Sequence, residues 1–366
     1  MATVYLHSER LIQKEIALAQ NGHPPGTRIL TPTGWREIEC LLIGDRVIGS
    51  NGRPQRLVEV RRLNTVPISR VTFLDRASVL CASDHLWLTN TPYRRNFNLA
   101  PQRRRLSSLD GNLIDAAGNR QHFIPLVGPV ELEEPDILPL DPYLLGLLLG
   151  DGGLTRGTPA FTTIDQELLE SIRATLPADM YIRQLLSVKG QSYNLRSNFG
   201  KQNPLTDILR DLGVWNKRSE AKSIPDTYKF GSLSTRISVL QGLMDTDGHV
   251  TRKDANVGYT SSSSVLAQDV RWLILSLGGV AKIAVHKTPC LPSYRMSVGL
   301  LNRAQVFRLA RKLEFCRPQE KYPPVRAMAS IEPAGTGPVI ALAVDAPDGQ
   351  YVTEDCIVAQ GPRPGE

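Results

Sequence analysis

The chain has 366 residues and 41% hydrophobic content, enough to bury sizeable cores in two or three domains. A net charge of +7 and a pI near 9.2 favour a polyanionic partner. The five cysteines form no CxxC pair and are odd in number, and with six scattered histidines they make no zinc pattern; a reducing, cytoplasmic compartment fits.

Residues 1–21 are expected to hold an amphipathic helix that starts at a Ser8 N-cap and stops at Asn21-Gly22. The segment is charged rather than continuously apolar, so it reads as neither a signal peptide nor a membrane span. Residues 26–60 and 71–90 are short β-type runs broken by TPTGW, IGD and SNGRP turns, an all-β signature. Arg94, Arg95, Arg103, Arg104 and Arg105 form the densest basic segment. It suits phosphate contacts, which add affinity but little specificity, or equally a mobile solubilising loop.

Two apolar helix-like stretches then end in Asp-Gly: LLGLLLGDG at 144–152 and LQGLMDTDG at 240–248. The first is too short to cross a membrane, which takes about 20 apolar residues. Gly152 and Gly248 stand where left-handed C-terminal caps are expected. Asp151 and Asp247 would face the negative end of each helix dipole, a position that calls for a cation. Gly146 with Gly150, and Gly242 with Thr246, give each helix a small face on which the two could approach closely and bring the acids together. Paired carboxylates at one point suit a hard divalent ion such as Mg²⁺ and metal-assisted phosphodiester cleavage.

After each Asp-Gly the order repeats. Phe161-Thr162 and Tyr259-Thr260 precede helices over about 165–176 and 264–277. Strand pairs at 180–188 with 192–197 and at 280–287 with 293–298 follow. Second helices at 203–214 and 303–315 lead to a lysine before proline, Lys222 in KSIP and Lys321 in KYPP. Six elements in one order define an internal duplication over 141–325. Strand alternation puts Arg183, Lys189 and Arg196, and Lys282, His286 and Arg295, among groove-facing positions, where arginine can read guanine edges. A solvated sheet face is the plainer alternative.

These motifs resemble the LAGLIDADG homing endonucleases. The resemblance implies two αββαββα-like halves forming a saddle over duplex DNA, with Asp151 and Asp247 at the metal-binding positions together with Gly150 and Thr246. Lys222 and Lys321 fall where inteins of this family carry cleavage-assisting lysines. The first motif departs from the family name at Leu149 and Gly150, whereas the second keeps Asp245. The flanks, with PVIALAVDAPDGQYVTEDCIVAQ at 338–360, resemble the Hint domain of inteins. The implied fold is multidomain: an all-β Hint-type splicing domain interrupted by an α+β LAGLIDADG endonuclease domain of two pseudo-two-fold repeats. The expected bounds are 1–21 extension, 22–130 first Hint part, 131–328 endonuclease (repeats about 141–226 and 236–325), 329–360 second Hint part and 361–366 tail.

By the same resemblance His85 is the splicing histidine, or else a core histidine. Trp87 marks a subclass without the ordinary N-terminal nucleophile, and Ala346 lies near the position that subclass fills with a nucleophilic cysteine. Gly22 stands where Cys or Ser is expected, Ala82 replaces a threonine, Ala359-Gln360 replaces His-Asn, and Gly361 follows in place of Cys, Ser or Thr. Cys356 reads as a core thiol. The expectation is a monomeric, Mg²⁺-dependent, site-specific double-strand DNA endonuclease in a splicing-deficient intein. It would be flanked by host exteins, would leave short 3′ overhangs, and would act on a long asymmetric target. The alternatives are a non-cleaving DNA-binding relic and an autocatalytic splicing element.

Overall fold

The computed structural model describes residues 21–133, 137–155, 157–185, 191–198, 200, 203–317 and 323–362. The chain divides into two compact units. One is built from the flanks, up to Leu132 and from Val325, with Leu275–Gly278; the other holds Glu133–Ile274 and Gly279–Pro324. The predicted helix within 1–21 lies outside the described residues, apart from its end at Asn21.

The first flank contributes β1 (Arg28–Thr31), β2 (Gly34–Glu37), β3 (Arg46–Ile48), β4 (Pro54–Phe73), β5 (Ser78–Ala82) and β6 (Leu86–Thr89), then helix α1 (Pro92–Asn96), β7 (Gln102–Arg105) and β8 (Phe123–Ile124). The TPTGW turn joins β1 to β2 as a hairpin, Leu30 opposite Trp35, and Thr31 Oγ1 donates to Gly34 O at 2.7 Å. Alternation in β4 buries Val71 and Phe73 on one side.

In the insertion, α2 (Pro142–Asp151) begins at Asp141, whose carboxylate accepts from Leu144 N at 2.9 Å, with Pro142 in the first turn. Then come β9 (Gly152–Gly153), β10 (Ala160–Thr162), α3 (Gln166–Thr175), β11 (Met180–Leu185), β12 (Ser192–Ser197), α4 (Pro204–Asp211) and α5 (Asp226–Lys229). The second half runs α6 (Leu233–Thr246), β13 (Gly248–Val250), β14 (Val257–Ser261), α7 (Ser264–Ser276), β15 (Val280–His286), β16 (Ser293–Gly299) and α8 (Ala310–Leu313). The two sheets have one topology, β9-β10-β12-β11 and β13-β14-β16-β15, so the duplication read from the sequence is a duplication of fold.

One expected element is broken. The helix predicted over 303–315 is a 3₁₀ turn at Arg303–Val306 followed by the single turn of α8. Phe307 and Leu309 take extended backbone between them, and the carboxylate of Asp245 accepts the amides of Arg308 (3.0 Å) and Leu309 (3.3 Å), donors that a continuous helix would use internally.

The second flank closes the β unit. β17 (Arg326–Val344) pairs antiparallel with β4 from Met328 opposite Phe73 to Val344 opposite Leu57, bending at several bulges. β18 (Gln350–Thr353) and β19 (Ile357–Gln360) add to the first hairpin in the order β19-β18-β1-β2. The core is shared between flanks: Ile29, Val47 and Leu57 pack with Ile340, Leu342 and Tyr351.

Candidate functional site

The seam of the insertion is where α2 meets α6. All of Tyr143–Leu149 is buried, as a helix apolar on every side must be. A Cβ on Gly146 would lie 2.3 Å from Val239 O, and one on Gly242 would lie 2.4 Å from Tyr143 O and 2.6 Å from Leu147 N. The helices therefore touch backbone to backbone, and a Cβ on Gly150 would lie 2.0 Å from Thr246 Oγ1. The sequence expectation for Gly152 and Gly248 needs correcting in its cause. Gly152 is extended (φ −73°, ψ 130°), and neither glycine is left-handed. What excludes a side chain is space, since a Cβ would sit 2.2 Å from Leu148 O and 2.5 Å from Met244 O respectively.

Asp151 is the last residue of α2 and Asp247 caps α6. Both line one cavity of about 510 Å³ with Lys222, Gly150, Ser219, Thr260 and Cys290. Burial first, and then the charge of Asp151, push the Asp247 carboxyl up to about 6; Asp151 is also raised, burial outweighing the nearby lysines. Two carboxylates that repel, beside the carbonyls of the helix ends, make an oxygen-only donor set suited to a hard divalent cation. Among the described residues no group of three or more His, Cys, Asp or Glu forms a metal cluster, so such an ion would rely on these two acids, backbone carbonyls and water. Of the two further ligands expected, Gly150 O already accepts from Lys222, and Thr246 Oγ1 bonds back to Gly242 O and Leu243 O.

Lys222 is 5% exposed, and its Nζ donates to Leu148 O, Gly150 O and Gly152 O at 3.2, 3.0 and 2.9 Å. The expectation placed on Lys321 lies outside the described residues. The position symmetric with Lys222 is taken by Lys312, also 5% exposed, whose Nζ donates to Met244 O, Asp245 O and Gly248 O at 2.7, 2.8 and 2.7 Å. Lys222 lies 74 residues after Leu148, and Lys312 only 68 after Met244, so matching KSIP to KYPP points past it. Each lysine satisfies carbonyls that the helix leaves unpaired and puts a cation at the negative pole. Burial lowers both ammonium groups to about 8, with the carboxylates opposing the shift. Asp245, the motif acid kept only in the second repeat, accepts from Tyr143 Oη at 2.8 Å and ties α2 to α6.

The two sheets present the expected basic residues on one face each. Arg183 lies opposite Asn194 and Arg196 opposite Tyr181, one register step apart, so both arginines share a face. Lys282 pairs with Ser297, Ala284 with Arg295 and His286 with Ser293, again one face. His249 joins them: it lies over Gly258, where a Cβ would meet its Nε2 at 2.6 Å, and it lines a cavity of about 520 Å³ with Lys282 and Arg295. Lys189 lies outside the described residues.

In the β unit the basic segment falls on α1 and β7. Arg103, Arg104 and Arg105 form β7 against β6, with Arg104 opposite Trp87. Arg103 donates to Asp348 O at 3.3 Å, Arg105 pairs with Asp84, Arg94 donates to Ala100 O at 2.8 Å, and Arg95 lies 4.8 Å over the Phe123 ring. Gly22 N donates to His85 Nδ1 at 3.1 Å, and His85 and Trp87 are fully buried with rings 5.3 Å apart. The Gln360 amide donates to Asp348 O and Gly361 O, both at 2.8 Å. Ala346 packs in the core with Ile29 and Val47, and the backbone against Gly22 is Ile340–Ala341, with Ile340 O 2.7 Å from where a Gly22 Cβ would stand.

Residues 234–311 match the family described as LAGLIDADG-like domain. The chain is 30% identical over 270 residues to replicative DNA helicase DnaB of Mycobacterium intracellulare, covering 69% of this chain and 42% of that protein. It is 31% identical over 147 residues to protein RecA of Mycobacterium tuberculosis, covering 37% and 18%. It thus spans less than half the length of these relatives. Among solved structures, the MchDnaB-1 intein (N145AA) is 10% identical, covering 92% of this chain and 96% of that one with a TM-score of 0.27. I-DmoI in complex with DNA and Ca is 16% identical, covering 46% and 85% with a TM-score of 0.31. The doubled motif, the repeated sheet order and the matched residues give the insertion a LAGLIDADG-like character, set into a β unit built from both flanks. Over residues 234–311 the chain is similar to the LAGLIDADG-like domain family, and the doubled motif and sheet order extend that likeness to the first half of the insertion.

Proposed function

We propose that the chain is a site-specific double-strand DNA endonuclease whose host intein no longer splices. The observation that carries the reading is the doubled end of the α2–α6 seam. Asp151 and Asp247 share one cavity there, each beside a buried lysine. Asp151 and Asp247 would hold a divalent cation such as Mg²⁺, which when bound neutralises phosphate charge and activates water. Lys222 and Lys312, charged near neutral pH, stabilise negative charge developing on the phosphodiester. Arg183, Arg196, Lys282, His286 and Arg295 face the duplex, and because the two halves differ in sequence the target is asymmetric and one chain suffices. Among the described residues no helix is long and apolar enough to cross a membrane.

Similarity to parts of a helicase and of RecA, proteins of unrelated work, supports an inserted element in a host chain. Splicing lacks its parts: Gly22 offers no nucleophile, Ala359 no imidazole and Gly361 no hydroxyl or thiol. The test is Mg²⁺-dependent selection of cut sites from a randomised duplex library, beside the double variant Asp151→Asn, Asp247→Asn. One long site cut by the parent alone is expected; binding without cutting by both proteins would leave a DNA-binding relic.

A further inference from the structure

The β unit contains a second constellation, built around Asn21–Gly22 and independent of DNA cleavage. Asn-Gly is the linkage in which the missing Cβ leaves the following amide nitrogen freest to approach the asparagine side chain. Here the surrounding groups are specific. Gly22 N–H donates to His85 Nδ1 at 3.1 Å, so that nitrogen carries a lone pair and the proton sits on Nε2, which has no partner among the described residues. Asn21 Oδ1 accepts from Leu86 N at 3.2 Å, and Asn21 Nδ2 donates to Gln360 O at 3.0 Å. Asn21 is 3% exposed and His85 fully buried. Burial, and then the charge of His23 with its ring 4.9 Å away, hold the His85 imidazole well below its usual range and therefore neutral.

We propose that Asn21–Gly22 is a self-modifying linkage, in which Gly22 N attacks Asn21 Cγ to form a succinimide while His85 takes the amide proton and Leu86 N–H holds the oxyanion. The new bond is Gly22 N–Asn21 Cγ and the broken one is Asn21 Cγ–Nδ2. The proton held on His85 passes to the departing nitrogen, which leaves as ammonia, and water then opens the ring to aspartate or isoaspartate. No electrons are exchanged. The product replaces the Nδ2 donor with an oxygen facing Gln360 O, so the hydrogen bond joining the two ends of the β unit is lost.

The chain supplies its own control. At Asn51–Gly52 the asparagine is exposed, although Gly52 is buried, and Asn51 Oδ1 also accepts a backbone amide, Arg53 N at 2.9 Å. Gly52 N, however, donates to Gly49 O at 3.0 Å, a carbonyl that cannot take a proton. Exposure alone would make Asn51 the faster site; the base makes Asn21 faster.

The full chain is incubated at neutral pH and both peptides are followed by mass spectrometry with isoaspartate detection. Asn21 is expected to lose ammonia at least about tenfold faster than Asn51, and His85→Gln, which can accept the hydrogen bond but not the proton, slows it about 10²-fold, the scale of a positioned base. Conversion of Asn51 at an equal or higher rate overturns the proposal. So does an unchanged rate in His85→Gln, or scission of the Asn21–Gly22 peptide bond in place of ammonia loss. Should His85→Gln fail to melt cooperatively, the comparison of Asn21 with Asn51 in the parent still decides.

Discussion

Gly242→Ala tests whether the seam sets the distance between the acids. In an ordinary helix interior the change would stabilise by about 1 kcal/mol. Here the added carbon would stand 2.4 Å from Tyr143 O, 2.6 Å from Leu147 N and 2.8 Å from Gly146 C. All three are backbone atoms of the facing helix, so no side chain can swing away and α2 must shift as a body. Overpacking of this kind costs about 1–3 kcal/mol, and against backbone that cannot swing away the upper end applies, leaving a net loss of about 2 kcal/mol after the propensity gain. For a unit of this size that is a fall in melting temperature of about 4–8 °C. The same shift separates Asp151 from Asp247, and a displacement near 1 Å costs about 10²-fold in rate. Gly157→Ala, with nothing within 4 Å of the new carbon, is the control and leaves both quantities unchanged. Thermal melts and single-turnover cleavage measure the two effects. A Gly242→Ala protein as stable and as active as the parent would refute the backbone-contact reasoning.

Further expectations follow from the same geometry. Asp247, raised to about 6, keeps a proton in the folded chain that the unfolded chain has lost between the usual carboxylate range and that value. Metal-free stability therefore falls as pH rises through this window, and Asp247→Asn flattens the fall while abolishing cleavage, as melts across pH with EDTA will show. Lys312→Met lowers single-turnover cleavage by about 10²-fold, as Lys222→Met does, and parent-like kinetics would remove Lys312 from the site. Asp245→Ala leaves the Tyr143 hydroxyl and the Arg308 and Leu309 amides unpaired, costing about 2–4 kcal/mol in urea unfolding. Lys282→Ala reduces the salt dependence of DNA affinity by about one unit of slope; an unchanged slope places that sheet face away from phosphate.

Much of this arrangement was legible because it is written in spacing. Glycines four apart announced the contact of α2 with α6, and period-two alternation placed Arg183 with Arg196 and Lys282 with Arg295. What failed was what spacing does not encode. Gly152 looks like a helix stop, yet its requirement is clearance from Leu148 O, a fact of three dimensions. Lys312 was hidden because Asp245 unravels the last helix and shortens the path back to α6. The tie between Asn21 and Gln360 joins opposite ends of the described chain, and no local pattern could announce it.

The pairing of β4 with β17 has a kinetic side. Val71 meets Ile331 across the whole inserted domain, and Met328 meets Phe73 at the mouth of that excursion. A flexible chain of that length would have to find this register by diffusion, and loop closure must precede the reward of the pairing. An insertion that folds first converts the long tether into a short one with fixed ends. During synthesis β4 emerges before the insertion and β17 only after it, so the ribbon is expected to close once the interior domain has set. A lesion that slows the inserted domain's own folding should therefore appear first as an unzipped β4, exposed to proteases, in a domain whose sequence was never touched.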